Sequence, residues 1–492
     1  MNAKTHPRLT GIAAIALLGA MVTGSMPVSA HGVTIQTIAR NERQLFVDRH
    51  AIAELKDAQI VMHEPLRREP AILKDKPWEE LGVSSMSVFK DGDKFRAWYR
   101  ADVDPKYGGF RGRIMAYAES KDGINWVKPN LGLIEFNGTK ENNLFWTGPG
   151  STLCVFKDSN PGVPADERYK AVGRDEDSLV TLVSADGIHW RMGHGNPIYA
   201  GKPVDTHSVA YWDEINKLYV LYTRAARKEG RIGFGMDPAQ KWGSYNAMRW
   251  IRRATSPDFV IWTPFQDIDA GYTPTEHLYS NSAQPYPHNK NVVVMLASRL
   301  ADARTPKEGW HAPGVNDIVL LTSRDGINFD RQFMEAFIRP GLDYGNWHSR
   351  SLYVEVGFLQ TSPEEISFYG MENWQVPTNI IRRFSIRTDG FCSVRAGYEG
   401  GYVTTRPFEF TGDELRVNFS CSAVGAGRIE IQDEWGNPIP GFGTADAVEL
   451  LGDSVDLGVS WTSGRSLEKL MGKRIRLKFE LRDADLYSFW FR

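Results

Sequence analysis

The feature that most constrains this chain is a motif that returns at a nearly fixed period. Ser120-Lys-Asp-Gly-Ile-Asn-Trp126 recurs as Ser184-Ala-Asp-Gly-Ile-His-Trp190, Ser256-Pro-Asp-Phe-Val-Ile-Trp262 and Ser323-Arg-Asp-Gly-Ile-Asn-Phe329, with a degenerate fifth copy at Arg387-Thr-Asp-Gly-Phe391. The starts lie 64, 72, 67 and 64 residues apart. Asp-Gly supplies the positive φ of a tight hairpin turn, and the aromatic after it opens the next strand and packs between sheets. Self-similarity at such a period signals a repeat architecture.

Each period also carries the earlier strands of a four-stranded unit. Ser87-Val-Phe-Lys turns through Asp91-Gly92 into Phe95 to Tyr99, and Ala210-Tyr-Trp turns through Asp213-Glu214 into Leu218 to Tyr222. Val292 to Leu296 and Ile366 to Tyr369 fill the same slot later. Short strands, polar turns and no helical periodicity predict an all-β, five-bladed β-propeller. After Arg395 the repeat stops, and residues 400–492 read as a C-terminal β-sandwich of further strands. The propeller is expected over 31–397, with 31–83 an irregular, Pro-rich segment that helps close the ring.

Residues 1–30 read as a secretory signal peptide. Lys4 and Arg8 precede the apolar run Gly11 to Gly24, and Val28-Ser29-Ala30 offers a small-residue cleavage site. The run is shorter than the ~20 residues of a membrane span. An exported protein, periplasmic or extracellular and free of the membrane after cleavage, is expected. The net charge of −2 gives no sign of a nucleic-acid partner. Three cysteines allow at most one disulfide and fit no zinc pattern.

The serial blades followed by a sandwich resemble the five-bladed propeller glycosidases of the levanase/invertase and arabinanase/xylosidase type, and more closely an exported bacterial group related to them. Leu45-Phe-Val-Asp, Ala116 to Trp126, Asp205-Thr-His-Ser and Thr404-Thr-Arg-Pro-Phe408 carry the likeness. It implies hydrolysis of a glycosidic bond in a polysaccharide or oligosaccharide at the axial pocket. The N-D-P-N-G and R-D-P signatures of the levanase type are absent, so no catalytic residue carries over by motif.

The loops at one end of the channel supply the candidates. Asp205, as base or nucleophile, and Glu276, as acid, form the preferred catalytic pair, with Asp102 third. Asp175, His207, His277, Tyr279, Trp347 and His348 are candidate sugar contacts. His207, His277 and His348 precede three successive innermost strands. They are read as hydrogen-bonding residues, with an axial metal as the alternative, and no cofactor is implied. Arg100, Arg174, Arg224 and Arg299 end the second strands of four blades and either form a cationic rim suited to an acidic substrate or pair sideways to hold the ring. A hydrolase needs two carboxylates across the pocket. A polysaccharide lyase would use His or Tyr beside Arg, and a non-catalytic glycan binder needs neither. The N-terminal reading is checked by sequencing the exported form, which should begin at His31; a retained leader in a membrane fraction would show an anchor instead.

Overall fold

The structure is a computed structural model and describes residues 36–107, 112–205, 207–227, 231, 233–236 and 247–492. The expected signal peptide lies outside these residues. Five antiparallel sheets follow one another along the chain, each with its innermost strand first. Blade 1 runs Gly82–Asp91, Lys94–Asp102 and Arg113–Ser120, with Trp126–Val127 and Leu144–Trp146 outermost. Blade 2 runs Ser151–Lys157, Tyr169–Asp175, Ser178–Ser184 and Trp190–Met192. Blade 3 runs Val209–Asp213, Leu218–Arg227, Met248–Ser256 and Gln266–Asp267. Blade 4 runs His277–Asn281, Asn289–Ala301, Val315–Ser323 and Phe329–Asp330. Blade 5 runs Tyr353–Val354, Glu365–Glu372 and Ile380–Arg387, and its outermost strand is Leu66–Leu73 from the N-terminal segment.

The motif turns explain the recurrence of Ser and Asp as well as Gly. In the first copy Ser120 Oγ accepts from the Gly123 N–H, while Asp122 Oδ1 accepts from the Ile124 and Asn125 N–H groups. The second, third and fourth copies repeat this arrangement. Gly123, Gly187 and Gly326 have φ of 72°, 77° and 75°. In blade 3 Phe259 takes φ 66° without glycine, at a cost of roughly 1–2 kcal/mol. Its ring is buried against Phe156 and Tyr219.

The same turns join the blades. Trp98, on the second strand of blade 1, donates to the Gly187 carbonyl in the turn of blade 2. Tyr222 of blade 3 donates to Gly326 of blade 4, and Tyr369 of blade 5 donates to Gly123 of blade 1. Between every neighbouring pair of blades lies a separate apolar cluster. Burial at about 25 cal/mol per Å² therefore holds the ring from five sides. No disulfide contributes, since Cys154, Cys392 and Cys421 are free thiols.

The fifth motif copy departs from the expected hairpin within a blade. Its turn leads from Ile380–Arg387 into Cys392–Ala396, a strand of the C-terminal sheet. The N-terminal strand already occupies the outer edge of blade 5, so the chain must leave there. Asp389, at φ 58° and buried, accepts from Arg43, Tyr286, His288 and Ser488 at 2.6–2.9 Å. One carboxylate thus ties the N-terminal segment, blade 4 and the C-terminal domain together.

The C-terminal domain is a ten-stranded sheet around its own core. Four of its strands precede the propeller in sequence: Gln36–Ile38, Gln44–Leu45, Ile52–Lys56 and Ala58–Met62. Its long strand Ile475–Phe491 bends sharply. Phe479 and Phe489 would stand about 33 Å apart on a straight strand, yet their rings lie 5.5 Å apart and both touch Phe46. The two halves of the strand therefore face each other as layers. Tyr222→Phe should test the blade-to-blade bond. Deleting the hydroxyl leaves the buried Gly326 carbonyl short of a donor and should cost about 1–3 kcal/mol in urea unfolding; a cost near zero would show that packing alone joins blades 3 and 4.

Candidate functional site

The innermost strands are irregular where they begin. Pairing slips between Ser84 and Ser87 in blade 1, between Ser151 and Cys154 in blade 2, and between Leu278 and Ser280 in blade 4. Ser85, Thr152, Arg350 and Leu352 all have positive φ, between 56° and 71°. Such bulges and strained residues re-aim side chains and gather at functional sites. Of these residues Ser84, Ser85 and Arg350 line a pocket of about 170 Å³.

Blades 1, 2, 4 and 5 and the segment leading into blade 3 line this pocket. The lining includes Arg100, Arg113, Arg174, Asp205, Tyr279 and Arg350. Asp205 is the carboxylate among its lining residues. Its side chain is 28% exposed, with Oδ2 at 2.7 Å from Arg224 and Oδ1 at 3.0 Å from Arg174. It is thereby suspended between blades 2 and 3. Arg224 is buried and donates also to the Tyr279 carbonyl.

Tyr279 stands among cations in the opening. Arg224 and Arg249 stack on its ring at 4.5 and 4.3 Å, and the Tyr353 ring lies parallel at 5.4 Å. Burial works to raise the phenol, but Arg249 and Arg224 outweigh it and hold Tyr279 below the usual tyrosine value. A phenol made more acidic by fixed cations is able to give or take a proton during a reaction.

Beneath the opening, Glu355 joins blade 5 to blade 1. Its Oε1 accepts from the Ser85 N–H at 3.0 Å and its Oε2 from the Met86 N–H at 2.7 Å. This fixes the bulge that presents Ser84 and Ser85. Burial pushes Glu355 up to about 8, and burial together with Arg100 lowers His207 to about 4. The two side chains are 3.7 Å apart.

The other sequence candidates separate. Glu276 lies in a different, larger cavity of about 670 Å³, which Arg299 and Trp347 also line. Its carboxylate is buried between Arg299 and Arg331. The preferred pair Asp205 and Glu276 is therefore not brought into one pocket. Asp102 pairs with Arg100 at 2.9 Å, at the rim of the axial pocket. Asp175 closes the tip of its hairpin, its carbonyl accepting from Ser178. His277 accepts the Arg249 N–H and faces Asp302 at 3.2 Å. His348 packs on Trp310 at 3.7 Å beside a third cavity. The three histidines thus have separate surroundings, and among the described residues no cluster of His, Cys, Asp or Glu suits a metal ion.

Sequence reasoning missed Ser84, Ser85, Arg113, Arg350, Tyr353, Trp374 and Glu355. Arg350 follows directly on the candidates Trp347 and His348 and could have been found. Arg113 opens a third strand, and nothing in the repeat marks it.

The chain matches no protein-family profile and no curated protein sequence. Among solved structures it is similar to one described as a glycoside hydrolase (TM-score 0.44, 14% identity, 66% of this chain and 92% of that one). Another is an N-acetylgalactosamine deacetylase from F. plautii in complex with blood group B trisaccharide (0.42, 12%, 68% and 96%). A third is a glycoside hydrolase family 43 arabinoxylan arabinofuranohydrolase from Bacillus subtilis in complex with cellotetraose (0.38, 10%, 84% and 96%). At these identities no side chain's role transfers.

The buried Glu355 makes a pH prediction. The folded state keeps a proton that the unfolded chain loses above its ordinary value of 4.5, so this group's stability contribution falls as pH climbs from about 4.5 to about 8. His207 acts oppositely, but only between about 4 and 6.5. Glu355→Gln should therefore lose less Tm than the wild type between about pH 6.5 and 8. Parallel curves would show that Glu355 does not titrate in that window.

Proposed function

We propose that the chain is a carbohydrate-active enzyme that cleaves a glycosidic bond in the axial pocket, with Asp205 and Tyr279 as its proton-moving groups. The observation that carries this reading is their meeting in one opening bounded by four blades and the segment leading into blade 3, each held by arginines. In hydrolysis, Asp205 takes a proton from the attacking water. The Tyr279 phenol protonates the departing sugar oxygen as the bond to the anomeric carbon breaks. Tyr279 thus fills the acid role first assigned to Glu276, whose carboxylate is engaged by two guanidinium groups elsewhere. The expected pair of carboxylic acids becomes a carboxylate and an acidified phenol.

Elimination is the second reading, favoured by the cations around Tyr279. The phenolate would remove the proton beside a uronate carboxylate. The electron pair of that carbon–hydrogen bond becomes a double bond in the ring, and the adjacent carbon–oxygen bond breaks with its pair going to the departing sugar oxygen, which takes a proton from water. Hydrolysis in labelled water places heavy oxygen in the product; elimination places none and yields an ultraviolet-absorbing unsaturated sugar.

Asp205→Asn and Tyr279→Phe should each lower kcat at least ~10²-fold on a cleaved glycan, the lower range for positioned acid–base groups. An equal fall for Glu276→Gln would return the acid role to that residue. Full activity in both Asp205→Asn and Tyr279→Phe would overturn the assignment, and binding without turnover across neutral and acidic glycans would make the protein a glycan binder.

A further inference from the structure

Four blades carry an arginine near the end of their second strand, and the structure treats these residues differently. Arg299 shows how such a residue is satisfied when its work is structural. Its Nε and Nη2 meet both oxygens of Asp317 at 2.8 and 2.6 Å, and its Nη1 reaches Glu276 and the Met334 carbonyl. The axial pocket is arranged otherwise. Arg100, Arg113, Arg174 and Arg350 line it, and Arg224 and Arg249 stand behind Tyr279. Within the lining, four guanidinium groups, Arg100, Arg113, Arg174 and Arg350, stand beside one carboxylate, Asp205. Arg100 directs two N–H groups to a single oxygen of Asp102, and Asp205 is shared between Arg174 and Arg224.

Gathering cations in a half-enclosed site is unfavourable, because each loses water and repels the others. The effect is visible on Arg113, which burial, Arg100 and Arg174 push down to about 10 against the pull of Asp102 and Asp205. A positive surplus of this kind is offset when an anion enters. Guanidinium groups present paired N–H donors that match the oxygens of a carboxylate or a sulfate. The aromatic rings of Tyr279, Tyr353 and Trp374 border the same opening, and Arg350 lies 5.4 Å over Trp374. The pocket therefore sets aromatic side chains beside forked cations suited to a substituent on a sugar.

We infer that the axial pocket receives a sugar residue bearing an oxyanion, as a uronate carboxylate or a sulfate ester, on the guanidinium groups of Arg100, Arg113, Arg174 and Arg350. This rests on the axial pocket being the glycan site. It is independent of which bond is cleaved and how.

The test is calorimetric titration of the wild-type protein with four probes: an oligosaccharide of uronic acids, its methyl ester, a sulfated oligosaccharide and a neutral parent. At least one acidic probe should bind ~10-fold or more tighter than its uncharged counterpart, and its advantage should shrink as salt screens the charges. The uronic-acid and sulfated arms tell the two oxyanions apart. Arg350→Gln and Arg113→Gln should each remove most of the advantage, while Arg299→Gln should leave it. Where Arg113→Gln fails to fold, the salt dependence of the wild type and the half-exposed Arg350 carry the test. No acidic probe binding better than its uncharged counterpart, or an advantage untouched by salt and by Arg350→Gln, overturns the inference. Acidic preference without cleavage would uphold it and sink the proposed reaction; cleavage of neutral glycans without acidic preference would do the reverse.

Discussion

The ring depends on one repeated contact: an aromatic side chain on the second strand of a blade donating to the glycine carbonyl in the motif turn of the next. Trp98, Tyr222 and Tyr369 make it from blades 1, 3 and 5. Each places a large apolar ring in the cleft between sheets and satisfies a backbone carbonyl there. Aromatic burial and hydrogen-bond satisfaction are thus met by one residue. The turn can receive the bond because Ser and Asp have already paired its N–H groups, leaving the carbonyl directed toward the neighbouring blade. The bond from Tyr369 to Gly123 also joins the last blade to the first.

Closure of the ring has consequences at both ends of the chain. Leu66–Leu73 completes blade 5, which displaces the fifth motif copy into a linker. Its Asp389 then serves a different purpose, accepting four hydrogen bonds from three parts of the molecule. Burial opposes its ionisation, but His288 and Arg43 outweigh that and hold the carboxyl well below the usual range. Residues 36–62 contribute to the C-terminal sheet, so the propeller is enclosed in sequence by the domain it packs against.

Innermost strands slip register at Ser84, Ser151 and Leu278, and Glu355 fixes one of these bulges by bridging two blades. Arginine in one strand position then meets three environments. Arg299 is satisfied by Asp317, Arg224 holds Asp205 and stacks on Tyr279, and Arg100 and Arg174 face the opening. Position along a strand determined that they would lie near the axis; neighbouring side chains determined what each could do there.

By itself the sequence determined the blade number, the all-β class and the hairpins of the first four motif copies. These are local or periodic: an Asp that accepts from the N–H groups two and three residues on needs no distant partner, and a period is visible in a single chain. It also grouped Asp205, Tyr279, Arg100 and Arg174 at one end of the blades, and these four do line one pocket, because strand polarity alternates predictably within a blade. Tertiary structure alone decided the rest. Glu276 and Asp205 belong to neighbouring strand beginnings, yet Glu276 is engaged by Arg299 and Arg331 in a different cavity from Asp205. Glu355 acquires its role only when the fifth blade meets the first, Arg113 only when blade 2 and the segment into blade 3 bring Arg174 and Asp205 beside it, and the outer strand of blade 5 comes from more than 290 residues upstream. Such contacts are set by ring closure and by competition among buried charges, neither of which leaves a local pattern in the chain.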